Sequence, residues 1–156
     1  MRIGHGFDVH RFEGDGPILL GGVSLPCLKG VSSHSDGDIL LHAVIDSILG
    51  AAGMGDIGVY FSDDDARFKG ISSRVLLRRI WKKVRRMYKI GNIDVTIIAD
   101  FPRIRMHTER MKENISLDLS CSVDDINIKS TTTENIGFFK KEMGIACEAV
   151  VLLEKL

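Results

Sequence analysis

With 156 residues, of which 44% are hydrophobic, the chain holds enough apolar material for one compact core and no room for a second catalytic domain. Lys plus Arg and Asp plus Glu balance at 21 each, which excludes a global field that would draw in nucleic acid or an anionic membrane, so any anion site has to be built locally. No apolar run approaches the length of a membrane span. Cys27, Cys121 and Cys147 are far apart, odd in number and free of C-x-x-C spacing, which points to packing roles in a reducing compartment. The opening Met1-Arg2-Ile3-Gly4-His5-Gly6 has neither signal-peptide nor transit-peptide character, so the expected location is cytoplasmic; a processed plastid-type protein would begin in the same way. The absence of repeats, linkers and low-complexity stretches predicts a single domain over residues 1–156.

In chain order, a strand is expected near residues 2–9, followed by an extended segment over Ile18–Val23 that bends at Gly21-Gly22. An amphipathic helix is expected from Asp38 to Ala52, with Asp38, His42 and Asp46 as a polar stripe four residues apart. A long helix opens at Ser72-Ser73, where a serine can cap the free amides. It gathers Arg74, Arg78, Arg79, Lys82, Lys83, Arg85, Arg86 and Lys89 around Leu76, Leu77, Ile80, Trp81, Val84 and Met87. Nucleic-acid binding is one use for such a helix, but no base-stacking platform or reading motif accompanies it, and a solvated outer face is the simpler reading. The β-branched alternation of Asn92–Ala99 predicts a strand, residues 108–119 a shorter helix, and Ile126–Lys129 and Ile145–Leu153 two more strands. Helices that run back into strands indicate an α+β or α/β layer, with helices on one face of a mixed sheet.

Three segments offer chemistry. Asp8 and His10 stand two apart on an extended segment and so point to one face, where His42 could join them from the first helix. Two imidazoles and a carboxylate suit a borderline-soft ion such as Zn²⁺ with one open position, although D-x-H spacing is equally met in surface or core residues without a metal. The glycine-rich, then acidic stretch from Gly53 to Asp65 permits close backbone approach to a ligand, and Asp56 and Asp63 could accept from hydroxyls; a turn-rich surface loop has the same composition. Lys129–Gly137 places hydroxyls and successive amides at a strand end, suited to phosphate oxygens, and Glu134 offers an oxygen to Mg²⁺ or Mn²⁺; an ordinary helix entry would look alike.

Taken together, Gly4-His5-Gly6-Phe7-Asp8-Val9-His10, Ser33-His34-Ser35-Asp36-Gly37-Asp38 with His42, Gly55-Asp56-Ile57-Gly58, Asp94–Ala99, Thr131-Thr132-Thr133-Glu134 and Gly144–Ala149 closely resemble the 2-C-methyl-D-erythritol 2,4-cyclodiphosphate synthase family, collinearly over essentially the whole chain. The resemblance implies an α+β homotrimer with active sites between subunits. It implies cyclisation of 4-diphosphocytidyl-2-C-methyl-D-erythritol 2-phosphate with release of CMP, in the non-mevalonate route to isoprenoid precursors. It further implies Zn²⁺ on Asp8, His10 and His42, one ion per subunit, and Glu134 helping to place Mg²⁺ or Mn²⁺ on the substrate diphosphate. His34 and Thr132 would stabilise the transition state, with Ser35 beside His34.

On the same resemblance, substrate contacts would come from Asp8, Val9 and His10, and from Asp56, Ile57, Gly58, Phe61, Ser62, Asp63, Asp64 and Asp65. Others would come from Thr131, Thr132, Thr133 and Glu134, and from Phe138 and Lys141. Cytosine would lie on the loop Ala99-Asp100-Phe101-Pro102-Arg103-Ile104-Arg105, held largely by backbone groups. An axial channel of the trimer would hold an isoprenoid diphosphate. Two departures stand out: Lys140-Lys141-Glu142 replaces the family's glycine- and arginine-containing run, with Lys141 keeping charge but not the bidentate fork, and Ser62 stands where proline is common. No nucleic acid or membrane partner is expected.

Overall fold

The computed structural model describes residues 1–62, 64–134 and 143–156. Among these described residues, seven strands and four α-helices follow in the order β1 (Arg2–Asp15), β2 (Ile18–Leu20), β3 (Val23–Leu25), β4 (Lys29–Val31), α1 (Ile39–Ala52), α2 (Ile57–Tyr60), α3 (Ser73–Val84), β5 (Tyr88–Ile98), α4 (Thr108–Leu119), β6 (Ile126–Thr131) and β7 (Gly144–Lys155). Five strands form a mixed sheet in the order β4-β1-β7-β5-β6, in which only β5 and β6 run parallel; β2 and β3 form a separate hairpin. This is the α+β arrangement expected from the sequence.

The pairing register explains which face the helices cover. Gly4, Val151, Ile93 and Ile126 align across the sheet, as do Gly6, Ala149, Val95 and Ile128, and then Asp8, Cys147, Ile97 and Ser130. Because side chains alternate along each strand, all three rows point to the same side, where α1 lies on β1 and β7 and α4 lies on β6. α1 is buried nearly all round, from Ile39 to Ala51, because α3 covers its other side. It is bounded by Asp38, whose carboxylate accepts from the Leu41 amide, and by Gly53 in the left-handed conformation at φ 71°.

Two glycines set how closely α1 approaches the sheet. A Cβ at Gly4 would fall 1.9 Å from the Ser47 carbonyl oxygen, and one at Gly6 would fall 2.0 Å from that of Ala43. No side chain fits at either position, so the helix backbone rests directly on β1.

The structure differs from the sequence expectation at α3. The helix ends at Val84, Arg85–Met87 form a turn, and Lys89 lies in β5, paired with Glu154. Ser72, at the N-cap, makes no side-chain capping bond; the Ser73 amide instead donates to the Asp36 carboxylate at 2.9 Å. Arg74 and Arg78 both clasp Asp118 of α4, so part of the basic face is consumed in helix packing. Those two cations are matched by a specific acid, whereas Arg79, Lys82, Lys83, Arg85 and Arg86 are exposed, as a solvated outer face would have them.

Candidate metal centre

β1 supplies Asp8 and His10 on the same side as Gly4 and Gly6, and the first turn of α1 supplies His42. Because the glycines let α1 sit directly on the strand, the three side chains meet: Asp8 Oδ2 lies 2.9 Å from His42 Nδ1 and 3.2 Å from His10 Nε2. The three ligating atoms all fall within 4.8 Å of one another. The non-converging oxygen, Asp8 Oδ1, accepts from the Val9 amide at 2.8 Å, which fixes the carboxylate's orientation.

A hydrogen-bond chain behind His42 settles its tautomer. Ser73 Oγ donates to Asp36 Oδ1, so toward His42 Nε2, 2.9 Å away, it can only accept. Nε2 must therefore carry the proton, which Ser35 Oγ shares at 3.0 Å, and the lone pair is left on Nδ1, facing Asp8. Two acceptors then face each other at 2.9 Å. A cation has to lie between or beside them, either a proton on the imidazole or a metal ion.

The electrostatics agree. Burial pushes His42 toward the neutral form, but its hydrogen bond to Asp8 and the charges of Asp8, Asp38 and Asp36 outweigh burial and raise its pKa. Burial likewise raises the Asp8 carboxyl, and hydrogen bonds and charge from His10 and His42 overcome it, leaving Asp8 below the ordinary carboxylate range. His10 Nδ1 is buried without a hydrogen-bond partner among the described residues. The donor set, two imidazole nitrogens and one carboxylate oxygen with room beside them, fits a four-coordinate divalent ion with an open position.

That room is a cavity of about 310 Å³ lined by Asp8, His10, Ser32, Ser33, His34, His42, Asp46 and Ile57. A second space of about 110 Å³ adjoins it through His34 and His42 and is lined by Ile57, Gly58, Phe61, Phe68 and Leu76, giving the site a polar end and an apolar end. His34 Nε2 lies 3.5 Å from the Asp65 carbonyl. Asp56 caps α2 by accepting from the Val59 amide, and Asp46 accepts from the Ile57 amide at 2.8 Å, so α2 is tied to α1 beside the cavity. Ser62 and Asp64 are exposed, and Asp65 pairs with Arg67, which holds its carboxyl down to about 2. The Val9 side chain points to the opposite face of the sheet.

Other expected residues gather elsewhere. Thr131, Thr132, Thr133 and Glu134 lie at the end of β6; Thr132 Oγ1 donates to Glu134 Oε1, and Thr133 donates from its amide and hydroxyl to Asp100. The Ala99–Arg105 loop sits beside them: the Ala99 amide donates to the Thr131 carbonyl, Phe101 stacks on Phe12 at 4.7 Å, and Ile104 is buried. Phe101 and Pro102 line a hollow of about 400 Å³ with Pro26, Cys27, Leu28 and Lys29. Thr131, at the end of β6, lies three strand separations from β1 (β1 to β7 to β5 to β6), roughly 14 Å at the usual strand spacing, whereas Phe101 reaches back across the sheet end to Phe12 of β1. Asp63, Phe138 and Lys141, like all of residues 135–142, lie outside the described residues.

The YgbB family model matches residues 1–154. The chain belongs to the YgbB family. Relatives in this family include the 2-C-methyl-D-erythritol 2,4-cyclodiphosphate synthase of Proteus mirabilis, 59% identical over 156 residues that make up 99% of this chain and 98% of that protein. The Escherichia coli enzyme of the same name is 56% identical over 156 residues, with 99% and 98% covered. Among solved structures, a CDP-bound 2C-methyl-D-erythritol-2,4-cyclodiphosphate synthase superposes with a TM-score of 0.87 at 34% identity, covering 98% of this chain and 100% of that one. The bifunctional IspDF of Campylobacter jejuni gives 0.94 at 40% identity, covering 99% of this chain and 42% of that longer one. The family resemblance drawn from the motifs is thereby borne out.

Within this YgbB-family site, two features escaped the sequence. Ser73 reads as a helix cap, and its bond to His42 spans 31 residues, so no local pattern announces it. Gly4 and Gly6 did carry a signal, since they share the period of two with Asp8 and His10, yet what they must admit is another element's backbone. Asp38, read as a companion of His42, is fully buried and instead accepts from the Gly21 and Gly22 amides, pinning the β2–β3 turn to α1.

Proposed function

We propose that this chain is a 2-C-methyl-D-erythritol 2,4-cyclodiphosphate synthase, converting 4-diphosphocytidyl-2-C-methyl-D-erythritol 2-phosphate to the 2,4-cyclodiphosphate and CMP in the non-mevalonate pathway. The observation that carries this is the convergence of three metal-ligand lone pairs on the wall of a cavity, in a chain of the YgbB family. Asp8, His10 and His42 would hold Zn²⁺, and Glu134 would help to hold Mg²⁺ or Mn²⁺. The ions would neutralise diphosphate charge and so favour attack at phosphorus.

The chain's own residues have a positioning task. The substrate 2-phosphate oxygen forms a bond to the β-phosphorus while the bond from that phosphorus to CMP breaks, so no protein nucleophile is required. His34 lines both spaces and is set to donate to a phosphate oxygen, with Ser35 holding the adjacent imidazole. Asp56, Ile57, Gly58, Phe61 and the acidic residues through Asp65, with Asp63 among them, would take the erythritol portion. Thr131–Glu134, with Thr132 toward the transferring phosphoryl group, would meet the nucleotide, and the backbone of Ala99–Arg105 its cytosine.

The roughly 14 Å between the β1 ligands and the Thr131–Glu134 end of β6 supports assembly as a homotrimer, in which the nucleotide half of one subunit would complete the metal half of the next. The outer face of the sheet, which exposes Ile3, Phe7, Val9 and Val150, is available for the contact. An isoprenoid diphosphate along the trimer axis belongs to the same reading, with Phe138 and Lys141 near its phosphate end.

The test is incubation of the protein with the substrate, Zn²⁺ and Mg²⁺, followed by phosphorus NMR. CMP with the cyclic diphosphate is expected. A linear phosphate product would make the protein a hydrolase, and no turnover would refute the assignment. His42→Ala should lose both bound zinc and cyclisation.

A further inference from the structure

On the far side of the Phe61 and Phe68 rings from the metal cavity lies a second, larger pocket of about 570 Å³. Arg79, Lys82, Lys83 and Arg86 line one wall, spaced so that α3 and the turn after it present them along one flank. Tyr60, Phe61 and Phe68 line the other, with Lys83 Nζ 5.4 Å from the Tyr60 ring centroid and the two phenylalanine rings meeting edge to face at 5.2 Å.

The charge is what stands out. On the neighbouring flank of α3, Arg74 and Arg78 are both matched by Asp118. None of the four pocket cations has an ion pair or a side-chain hydrogen bond among the described residues. In a chain whose charges balance overall, four unmatched cations are held together against their mutual repulsion and against a half-buried aromatic wall.

We propose that this pocket binds a nucleoside polyphosphate. Guanidinium and ammonium groups would take the phosphate oxygens, and the rings would take the planar base, by stacking that tolerates any base. The volume suits one small ligand, within the range of about 300–1,000 Å³ for such sites. A single-stranded nucleic acid fits less well, because the ring wall closes the pocket on one side. The proposal is independent of the cyclisation chemistry: the only residues shared with the candidate metal centre are the two rings that divide the spaces.

Calorimetric titration of the metal-loaded protein with ATP tests it, using inorganic tripolyphosphate and a short single-stranded RNA as companion probes. One ATP per subunit is expected, bound more tightly than tripolyphosphate, with affinity reduced about tenfold or more in Arg79→Glu and Arg86→Glu. Arg85→Glu, which reverses a charge on the same turn outside the pocket, and His42→Ala, which disables the metal centre, should both keep the wild-type affinity. Unchanged binding in Arg79→Glu and Arg86→Glu, an equal loss in Arg85→Glu, or loss in His42→Ala would each overturn the assignment. RNA that binds more tightly than ATP would replace it with a nucleic-acid surface.

Discussion

Replacing Ser73 with alanine probes the hydrogen-bond chain that presents His42. Ser73 Oγ, buried between His42 Nε2 at 2.9 Å and Asp36 at 2.5 Å, is one of two groups that hold the Nε2 proton; the other is Ser35 Oγ at 3.0 Å. Losing a group that orients a metal-ligating histidine costs about 10–100-fold in affinity. Because Ser35 remains, Ser73→Ala should sit at the low end, about tenfold or 1.4 kcal/mol in zinc affinity. The double variant Ser35→Ala/Ser73→Ala leaves the buried Nε2–H without a partner and frees the tautomer, so its loss should exceed the sum of the two single losses, going beyond the roughly hundredfold that two tenfold losses would give by addition. Competition against a chromogenic zinc chelator measures all three variants. Strictly additive losses, or an unchanged affinity in the double variant, would show that the serines do not set the tautomer.

Gly6→Ala places a Cβ 2.0 Å from the Ala43 carbonyl, so α1 must lift; urea unfolding should show about 1–3 kcal/mol of lost stability, and zinc stoichiometry should fall because His42 moves with the helix. Asp118→Ala removes the carboxylate that Arg74 and Arg78 share; since those guanidinium groups are one-quarter and about half exposed, the loss should be about 2 kcal/mol, without change in bound zinc. Glu134→Gln should depress turnover, read by CMP release, while leaving zinc content unchanged, since Glu134 lies outside the triad.

The metal-free protein should show a two-sided pH dependence. Asp8, lowered from 3.8, contributes stability above that value that is lost as pH falls; His42, raised from 6.5, contributes stability below that value that is lost as pH rises through its folded pKa. Thermal stability without metal should therefore be greatest between the two. Below the raised His42 pKa, zinc must displace a proton, and its affinity should drop about tenfold per pH unit. Affinity that stays flat from about pH 5 to pH 8 would refute the coupling.

Most of the framework was legible because it is local. The alternation of Asn92–Ala99 and of Ile145–Leu153 predicted strands that the sheet contains, and α1 and α4 occupy the spans expected for them, although α1 is buried nearly all round and not on one face alone. The period of two through Gly4, Gly6, Asp8 and His10 put both β1 ligands on one side, and the collinear motifs pointed to the family. Where local rules fell short, another part of the chain had intervened. The basic pattern runs five residues past the end of the helix, from Val84 to Lys89, because Lys89 belongs to a ladder with β7 that no α3 residue reveals. The Ser72 cap was displaced by Asp36, a carboxylate 37 residues away from the Ser73 amide it accepts.

What the sequence by itself determined, then, is most of the longer elements, though not β4 or α2, and the kinds of atoms that could hold a cation and a phosphate. The tertiary structure decided which of them meet. Alternation and helical period are properties of one segment, whereas the 2.9 Å contact between Asp8 and His42 depends on two glycines that let α1 rest on β1. The same folding holds Glu134 and the Thr131–Thr133 hydroxyls three strands from the metal ligands, so that a site continuous in the motif list is divided in space. Strand order, a long-range property, is the reason.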